Sequence, residues 1–465
     1  MFKSFNSLGQ YERYLLRGMA LSIPISIGLT QVFYFLFIFL TLPNFKKAVR
    51  LKALDPLRSQ LICWSVVMVI ASCASVDFQR SISETLKALS YPLFILLVLC
   101  SLESIESAKD RVAEVYTVLL FLIVGQAIAC SVTILSLAIG SDAKFGLPGP
   151  VTGSGQLALV LPIITGIILG ARSQKIFSKQ RVLSVILLLS IFLLVSVRQS
   201  VFNYYLPVQV SLLILIGYLL KQINLFSLLK NFWCASSAHT CLIALSLLPV
   251  LMTAFIFNLK RGPWLGVLLA TTILGITLGR KKLLFGAICT GLSMLFLPLV
   301  RTRVLNIVAD FTIAGGRERM WELGFEIASR FPLGVGPKNS VYMRVLDPYL
   351  PSTHRHLHNN FLNVLVEMGY LGGVIFIWWM VTLVLIGFKW TKLATSTGEP
   401  ALKRVALLAV ALSTAILSWQ CAGLVEYNFG DAEIRMLAYL VMALLLCLNR
   451  YLEQSANSFQ VAGER

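Results

Sequence analysis

Residues 240–282 read TCLIALSLLPVLMTAFIFNLKRGPWLGVLLATTILGITLGRKK and decide the fold class of this chain. Two apolar runs, 240–258 and 264–279, are separated by a short polar turn that contains Arg261. Both runs are near the length at which an α-helix crosses the hydrocarbon core of a bilayer. The basic cluster at 280–282 follows the second run and is typical of a cytoplasmic loop. The stretch therefore predicts a transmembrane hairpin that returns to the cytoplasmic side.

The same pattern extends over all 465 residues, of which 57% are hydrophobic and 13% are charged, with a mean hydropathy of +0.81. Ordinary soluble domains carry roughly 25% charged residues, so this composition predicts a polytopic membrane protein. Continuous apolar runs favour helices over the alternating strands of an outer-membrane barrel. A net charge of +19 would suggest a nucleic-acid partner in a soluble protein. Basic cytoplasmic loops account for much of it here, and we expect no nucleic-acid binding.

Loop charge divides the chain into segments. Residues 1–300 are predicted to hold the N-terminal transmembrane helices, and 301–357 to form one long periplasmic loop. Residues 358–449 (355–465 with a polar, disordered tail) are predicted to return the chain to the membrane and complete the spans. The run 15–42 is broken at Pro24 and predicts a tight hairpin of two short helices. The other predicted spans are 61–76, 86–102, 116–140, 156–171, 182–198, 206–220, 240–258, 264–279, 283–300, 370–388, 405–422 and 435–449.

The predicted fold class is therefore all-α: a polytopic helical membrane protein of about 12–14 transmembrane helices, whose one large periplasmic loop contains short helices. The nine cysteines lie within or close to apolar segments and form no CxxC pair. We expect them to act as small hydrophobic residues, without disulfides or a metal site.

Three of the four histidines, His354, His356 and His358, lie within five residues near the end of the long loop. Imidazole transfers protons near neutral pH, so the cluster is a candidate catalytic site. Two other interpretations remain open. Three histidines on one face of a helix or strand could bind zinc, or the cluster could be a surface feature without a function.

The residues that follow favour a single catalytic histidine. Asn359 and Asn360 could orient the histidine or bind a sugar through hydrogen bonds, and Glu367 is a weaker candidate as an indirect partner.

Arg198 and Arg261 are predicted to lie at the outer membrane edge, on the same side as the histidines. Arginine at this depth is costly and often faces a polar cavity or an anion, and two guanidinium groups could bind a diphosphate. Alternatively, either arginine could be an anchor that reaches the interface from a helix end.

The loop segment 316–330 is predicted to be an amphipathic helix that ends before Pro332. Trp321, Phe325, Ile327 and Ala328 are predicted to share its apolar face, and Arg317 lies one turn from Trp321. Such a helix could lie on the membrane surface and still place Arg317 at a site.

Three stretches resemble the O-antigen ligase family of bacterial membrane glycosyltransferases. KRGPWLG (260–266) resembles an Arg-Gly-small-Trp-Leu segment, and GGRERMW with FPLGVGP (315–321, 331–337) resembles a Gly-Arg-x-x-x-Trp and Pro-x-Gly-x-Gly loop. HNNFLNVLVEMGYLGG (358–373) resembles the His-Asn-x-x-Leu helix that follows the loop. The many-span layout with one late loop is also similar.

This resemblance implies a multi-pass protein of the bacterial inner membrane that acts in lipopolysaccharide or polysaccharide biosynthesis. The implied reaction transfers a glycan from an undecaprenyl-diphosphate-linked donor to an acceptor hydroxyl of lipid A core or another glycan, with inversion and without a metal or other cofactor. His358 would activate the acceptor, and Arg261 and Arg198 would bind the diphosphate. Arg317 and Trp321 would shape the pocket, and Asn359 and Asn360 would contact the sugars.

Three alternatives remain open. A polymerase of the same family would extend a growing glycan, and a protein hydroxyl is a third possible acceptor. A different class, a transporter of polyprenyl-linked glycans, is less favoured because the arginines cluster at one membrane edge instead of near the bilayer midplane.

Overall fold

The computed structural model describes residues 2–139, 149–170, 237–313 and 316–463, together with the single positions 183, 187 and 218. Within these residues every regular element is a helix, which confirms the all-α fold class. The N-terminal helices are α1 (Phe2–Ser22), α2 (Ile27–Thr41), α3 (Phe45–Val49), α4 (Arg58–Cys73), α5 (Phe78–Glu103), α6 (Ala108–Ile139) and α7 (Pro150–Gly170). The later helices are α8 (Ser237–Phe257), α9 (Arg261–Thr277), α10 (Lys281–Met294), α11 (Pro298–Leu305), α12 (Ile307–Thr312), α13 (Arg317–Arg330), α14 (Met343–Leu346), α15 (Asn360–Phe388), α16 (Thr391–Ser396), α17 (Pro400–Ala422) and α18 (Ala432–Gly463).

Eight helices in the described part of the chain are long and apolar enough to cross a membrane, as the polytopic prediction requires. They are Ile27–Val49, Phe78–Glu103, Ala108–Ser136, Thr152–Gly170, Ala238–Phe257, Asn360–Ser396, Pro400–Ala422 and Ala432–Asn457. Apart from the single positions 183, 187 and 218, the predicted spans 182–198 and 206–220 lie outside the described residues. The total of 12–14 spans therefore stays a prediction.

The two ends of the chain differ in how well the sequence predicted them. The break at Pro24 is confirmed, because α1 ends at Ser22 and α2 begins at Ile27, although α1 extends back to Phe2. The predicted disordered tail at 450–465 is wrong, since α18 continues to Gly463. Glu453 accepts hydrogen bonds from Asn449 (3.1 Å) and from the Lys389 ammonium (2.8 Å), so polar contacts support the helix beyond the apolar span.

Helix α17 lies at the centre of the bundle and packs against α7, α9, α15 and α18. Small residues allow the helices to approach closely, as is common in membrane bundles. At Gly266 in α9, a Cβ atom would overlap the Ser418 carbonyl oxygen of α17. This contact fixes the start of α9 beside the end of α17, where the candidate site lies.

Helix α15 contains a kink at Gly369, whose φ of 69° lies in the left-handed region that favours glycine. The kink leaves the carbonyl groups of Val366 and Glu367 available to the loop after α13. The Val335 and Gly336 N–H groups donate to these carbonyls at 2.9 and 3.0 Å. The Pro-x-Gly-x-Gly motif thus attaches the loop to the first part of α15.

Helix α13 confirms the predicted amphipathic segment, but its apolar face differs in detail. Met320, Leu323 and Ile327 are buried in a small core shared with Leu357 and with the start of α15. The side chain of Phe325, predicted on the apolar face, is 61% exposed. Helix α13 therefore buries its apolar face against the protein, and this packing holds the histidine segment in place.

Candidate functional site

A polar cavity of about 400 Å³ lies where the start of α9, the start of α13, the histidine segment and the connection between α17 and α18 meet. Cavities of this size commonly bind small molecules or parts of larger ligands. The residues that line it are Gly155, Lys260, Pro263, Arg317, Lys338, His356, His358, Glu426, Tyr427, Asn428, Gly430 and Asp431. The cavity thus combines three cations with two carboxylates and two histidines.

His358 lies in a tightly fixed segment of backbone. Its own φ is 49°, a conformation that costs energy for a residue with a side chain. On its N-terminal side, the Trp321 indole N–H donates to the Leu357 carbonyl (2.9 Å), and the Leu357 N–H donates to Asn363 Oδ1 (3.2 Å). On its C-terminal side, Asn359 caps α15 by accepting a hydrogen bond from the Leu362 N–H at 3.0 Å. These contacts hold the imidazole at the cavity wall.

The imidazole of His358 faces a carboxylate. Its Nδ1 atom is 3.9 Å from Glu426 Oε2, within ion-pair range but longer than a hydrogen bond. The Arg317 guanidinium contacts the other oxygen, with 3.3 Å between Nη2 and Oε1. Burial opposes ionisation of Glu426, but His358, Arg317 and Lys260 outweigh it, so the pKa of this carboxyl lies below its ordinary value. Glu426 is therefore a carboxylate at neutral pH.

The other two histidines have different surroundings. The ring of His356 lies between those of His358 (4.4 Å between centroids) and Tyr427 (5.1 Å). Burial, and then the proximity of His358, lowers the pKa of His356 to about 4, so this side chain is neutral at physiological pH. Burial also lowers the pKa of His354, whose ring is 6.2 Å from that of His358 and which does not line the cavity.

The histidine run forms neither the helix nor the strand that the zinc interpretation requires, since α15 begins only at Asn360. Among the described residues, no group of three or more His, Cys, Asp or Glu side chains has the arrangement of a metal site.

The predicted arginines take three different positions. Arg317 lines the cavity. Arg261 begins α9 and donates from Nη1 to the Arg303 carbonyl at 3.1 Å, and its neighbour Lys260 lines the cavity in its place. Arg198 lies outside the described residues.

Lys338 is a further cation that the sequence reasoning missed. Its φ is 63°, and its ammonium donates to the Gly430 carbonyl at 3.1 Å, 6.0 Å from the Tyr427 ring centroid. The loop that connects α13 to α14 thereby contacts the loop between α17 and α18. A basic residue two positions after the Pro-x-Gly-x-Gly motif was the signal available in the sequence.

The two asparagines stabilise the site from behind. Asn359 donates to the Leu424 carbonyl at 2.9 Å in addition to capping α15. Asn360 is fully buried. Its side-chain Nδ2 donates to Asn428 Oδ1 (2.7 Å), and its Oδ1 accepts from the N–H groups of Asn428 (3.0 Å) and Phe429 (2.9 Å). The predicted sugar contact is therefore wrong for Asn360, because its polar atoms are used inside the protein.

Trp321 and Glu367 act at a distance from the cavity. Trp321 packs edge-on against Phe311 and uses its N–H on the Leu357 carbonyl, so it supports the backbone before His358 instead of lining the cavity. Glu367 accepts from Asn363 Nδ2 (2.9 Å), and Asn363 in turn binds the Leu357 N–H. Glu367 thus reaches the histidine segment through one intermediate residue.

The loop 423–431, with the sequence GLVEYNFGD, supplies one wall of the cavity. In the sequence it is a short connection between the predicted spans 405–422 and 435–449. Its carboxylates, Glu426 and Asp431, were the signal available in the sequence.

Residues 242–377 match the sequence model of the protein family described as O-antigen ligase. This segment belongs to that family. The predicted resemblance is confirmed over these residues, and members of this family are membrane glycosyltransferases of ligase and polymerase type. The matched segment contains Lys260, Arg317, Lys338 and His358, whereas the loop 423–431 lies beyond it. No curated protein matches the chain.

Proposed function

We propose that this O-antigen ligase-family protein transfers a glycan from an undecaprenyl-diphosphate-linked donor to an acceptor hydroxyl at the periplasmic face of the bacterial inner membrane. The acceptor is lipid A core or another glycan. One observation carries the proposal: His358 lies in a cavity that also holds three cations, Lys260, Arg317 and Lys338. A base for the acceptor and positive charge for the leaving diphosphate are the two requirements of such a transfer.

His358 acts as the general base. Glu426 is on the Nδ1 side of the ring, which leaves Nε2 for the acceptor hydroxyl. Nε2 takes the proton while the acceptor oxygen forms a bond with the anomeric carbon. The bond from this carbon to the diphosphate oxygen breaks, and its electron pair leaves with undecaprenyl diphosphate. A single displacement from the opposite face inverts the configuration at the anomeric carbon.

The cations stabilise the charge that develops on the diphosphate. Guanidinium and ammonium groups bind phosphate oxygens well in a cavity that restricts water. Lys260, Arg317 and Lys338 line the cavity. Arg261 and Arg198 remain predicted diphosphate ligands, and Arg261 directly follows the cavity residue Lys260 in the sequence. Charge neutralisation by these side chains is compatible with transfer in the absence of a metal.

The experiment that tests the proposal uses the purified full-length chain and a purified undecaprenyl-diphosphate-linked glycan. Parallel reactions contain lipid A core, no added acceptor, or a hydroxyl-bearing peptide, each with and without EDTA. Glycan on lipid A core supports a ligase, and longer lipid-linked glycan without added acceptor supports a polymerase. No transfer to any acceptor would contradict the proposal, and loss of transfer with EDTA alone would contradict its metal-independence. Arg261→Ala tests the predicted diphosphate contact through the KM for the donor.

A further inference from the structure

Glu426 lies beside His358 but has no role of its own in the general-base mechanism described above. It lies on the loop between α17 and α18, outside the segment that matches the family, and its side chain is only 17% exposed. Its two oxygens face different partners, His358 Nδ1 at 3.9 Å and Arg317 Nη2 at 3.3 Å. A carboxylate between an imidazole and a guanidinium can tune how readily the imidazole accepts a proton.

We infer that Glu426 is a positioning residue for His358, and that Arg317 moderates its effect by sharing the carboxylate. The inference rests on the proposed role of His358 as the base. The carboxylate stabilises the imidazolium that forms when His358 takes the acceptor proton, and it keeps Nδ1 on the protein side of the ring. Arg317 contacts the same carboxylate and neutralises part of its negative charge, which weakens the effect of Glu426 on the imidazole.

The geometry of the loop supports a defined position for Glu426. The neighbouring residues Asn428 and Phe429 are held by the buried amide of Asn360 at 2.7–3.0 Å, and the Gly430 carbonyl accepts from Lys338 at 3.1 Å. At the α18 end, Asp431 accepts from the Thr152 hydroxyl at 2.6 Å. These bonds connect the loop to three other segments. Glu426, on a loop held in this way, can orient the His358 imidazole opposite it.

Other charged and titratable groups near His358 also influence its electrostatic environment. The charged groups of the same cavity are Lys260, Arg317, Lys338, Glu426 and Asp431, and the neutral titratable groups nearby are His354, His356 and Tyr427. Asp431 is occupied by Thr152 and by the N–H groups that begin α18. Glu426 is thus the carboxylate of this set that approaches the His358 ring within ion-pair distance.

The test measures protonation of His358 directly, so it does not depend on transferase activity. The chain has four histidines, so labelling with 13C at histidine Cε1 gives few signals, and His358→Gln assigns the one of interest. The full-length protein in detergent micelles is titrated from about pH 5 to 9, as wild type, Glu426→Gln, Arg317→Met and the double variant. Thermal unfolding confirms that each variant is folded.

We expect the His358 midpoint to move down by roughly one pH unit in Glu426→Gln, because a carboxylate within about 4–6 Å shifts a titration by one to three units. In Arg317→Met it moves up, since the carboxylate is no longer shared. In the double variant it matches Glu426→Gln alone, because Arg317 acts through Glu426. Glu426→Asp, which keeps the charge, retains most of the wild-type midpoint.

The same variants link the inference to the reaction. The acidic limb of the pH profile of kcat/KM follows the His358 midpoint in each variant, down for Glu426→Gln and up for Arg317→Met. Two results would overturn the inference. One is an unchanged His358 midpoint in Glu426→Gln. The other is a shift caused by Arg317→Met that is the same size in the wild-type background and in the Glu426→Gln background. If the midpoints shift as expected while wild type transfers no glycan, the pairing stands and the proposed function fails.

Discussion

The indole N–H of Trp321 donates to the Leu357 carbonyl at 2.9 Å, one residue before the candidate base His358. The bond joins the first turns of α13 to the histidine segment across 36 positions of sequence. Because His358 has a positive φ, its imidazole depends on such external contacts to keep its direction.

Trp321→Phe keeps the aromatic packing but removes this N–H. We expect kcat to fall about 10- to 100-fold, because a small displacement of a catalytic group has an effect of this order. The KM values for donor and acceptor should change little, since Trp321 does not line the cavity. Trp378→Phe is the matched control, because the Trp378 side chain is 44% exposed on α15, and it should retain wild-type kcat. Equal effects of the two substitutions would contradict the positioning role.

Asn360→Ala removes the amide that holds the loop 423–431. We expect the free energy of unfolding to fall by about 2–4 kcal/mol, because the buried N–H groups of Asn428 and Phe429 lose their acceptor. Denaturant unfolding in detergent measures this loss. Asn457→Ala, on an exposed position of α18, serves as the control and should change stability by less than about 0.5 kcal/mol. A loss below about 1 kcal/mol for Asn360→Ala would show that the loop is held by other contacts.

Gly369→Ala tests the kink of α15. The position has a φ of 69°, and a Cβ atom there would overlap the Pro332 carbonyl oxygen and Leu333. We expect destabilisation of at least about 2 kcal/mol. The control, Gly286→Ala in α10, has open space around its Cβ position and should stabilise the helix by about 0.5–1 kcal/mol. Changes of the same sign at both positions would argue against the kink as a constraint.

The stability of the protein should depend on pH through His356. Burial and the proximity of His358 lower its folded-state pKa from 6.5 to about 4. The unfolded chain therefore binds this proton first, and stability present above pH 6.5 is lost as the pH falls towards 4. Thermal unfolding of His356→Gln should show a smaller decrease in Tm across this window than wild type does. A parallel decrease in both proteins would contradict the burial of a neutral His356.

Much of the fold follows from the sequence, because apolar length and loop charge are local properties. The break at Pro24, the helix at 316–330 and most span positions required no knowledge of packing. The end of α18 was missed because Glu453 is stabilised by Lys389, a residue from the end of a different helix. Contacts between distant segments leave no local pattern in the chain.

The same reason explains which site residues the sequence could identify. His358 and Arg317 lie in motifs with a chemical signature, and both line the cavity. Lys338 and Glu426 reach it from loops whose spatial proximity depends on the kink at Gly369 and on the buried amide of Asn360. Asn360 has a residue type suited to sugar binding, yet its burial turns it towards the protein.

The central claim is that His358 is the base for glycan transfer. The most direct test compares His358→Asn with His354→Asn, a neighbour whose ring is 6.2 Å away and which does not line the cavity. The measurement is the single-turnover rate with purified undecaprenyl-diphosphate-linked glycan and the acceptor that wild type uses. We predict a loss of about 10²- to 10⁴-fold for His358→Asn and a rate within a few-fold of wild type for His354→Asn. A His358→Asn rate equal to that of wild type would contradict the account.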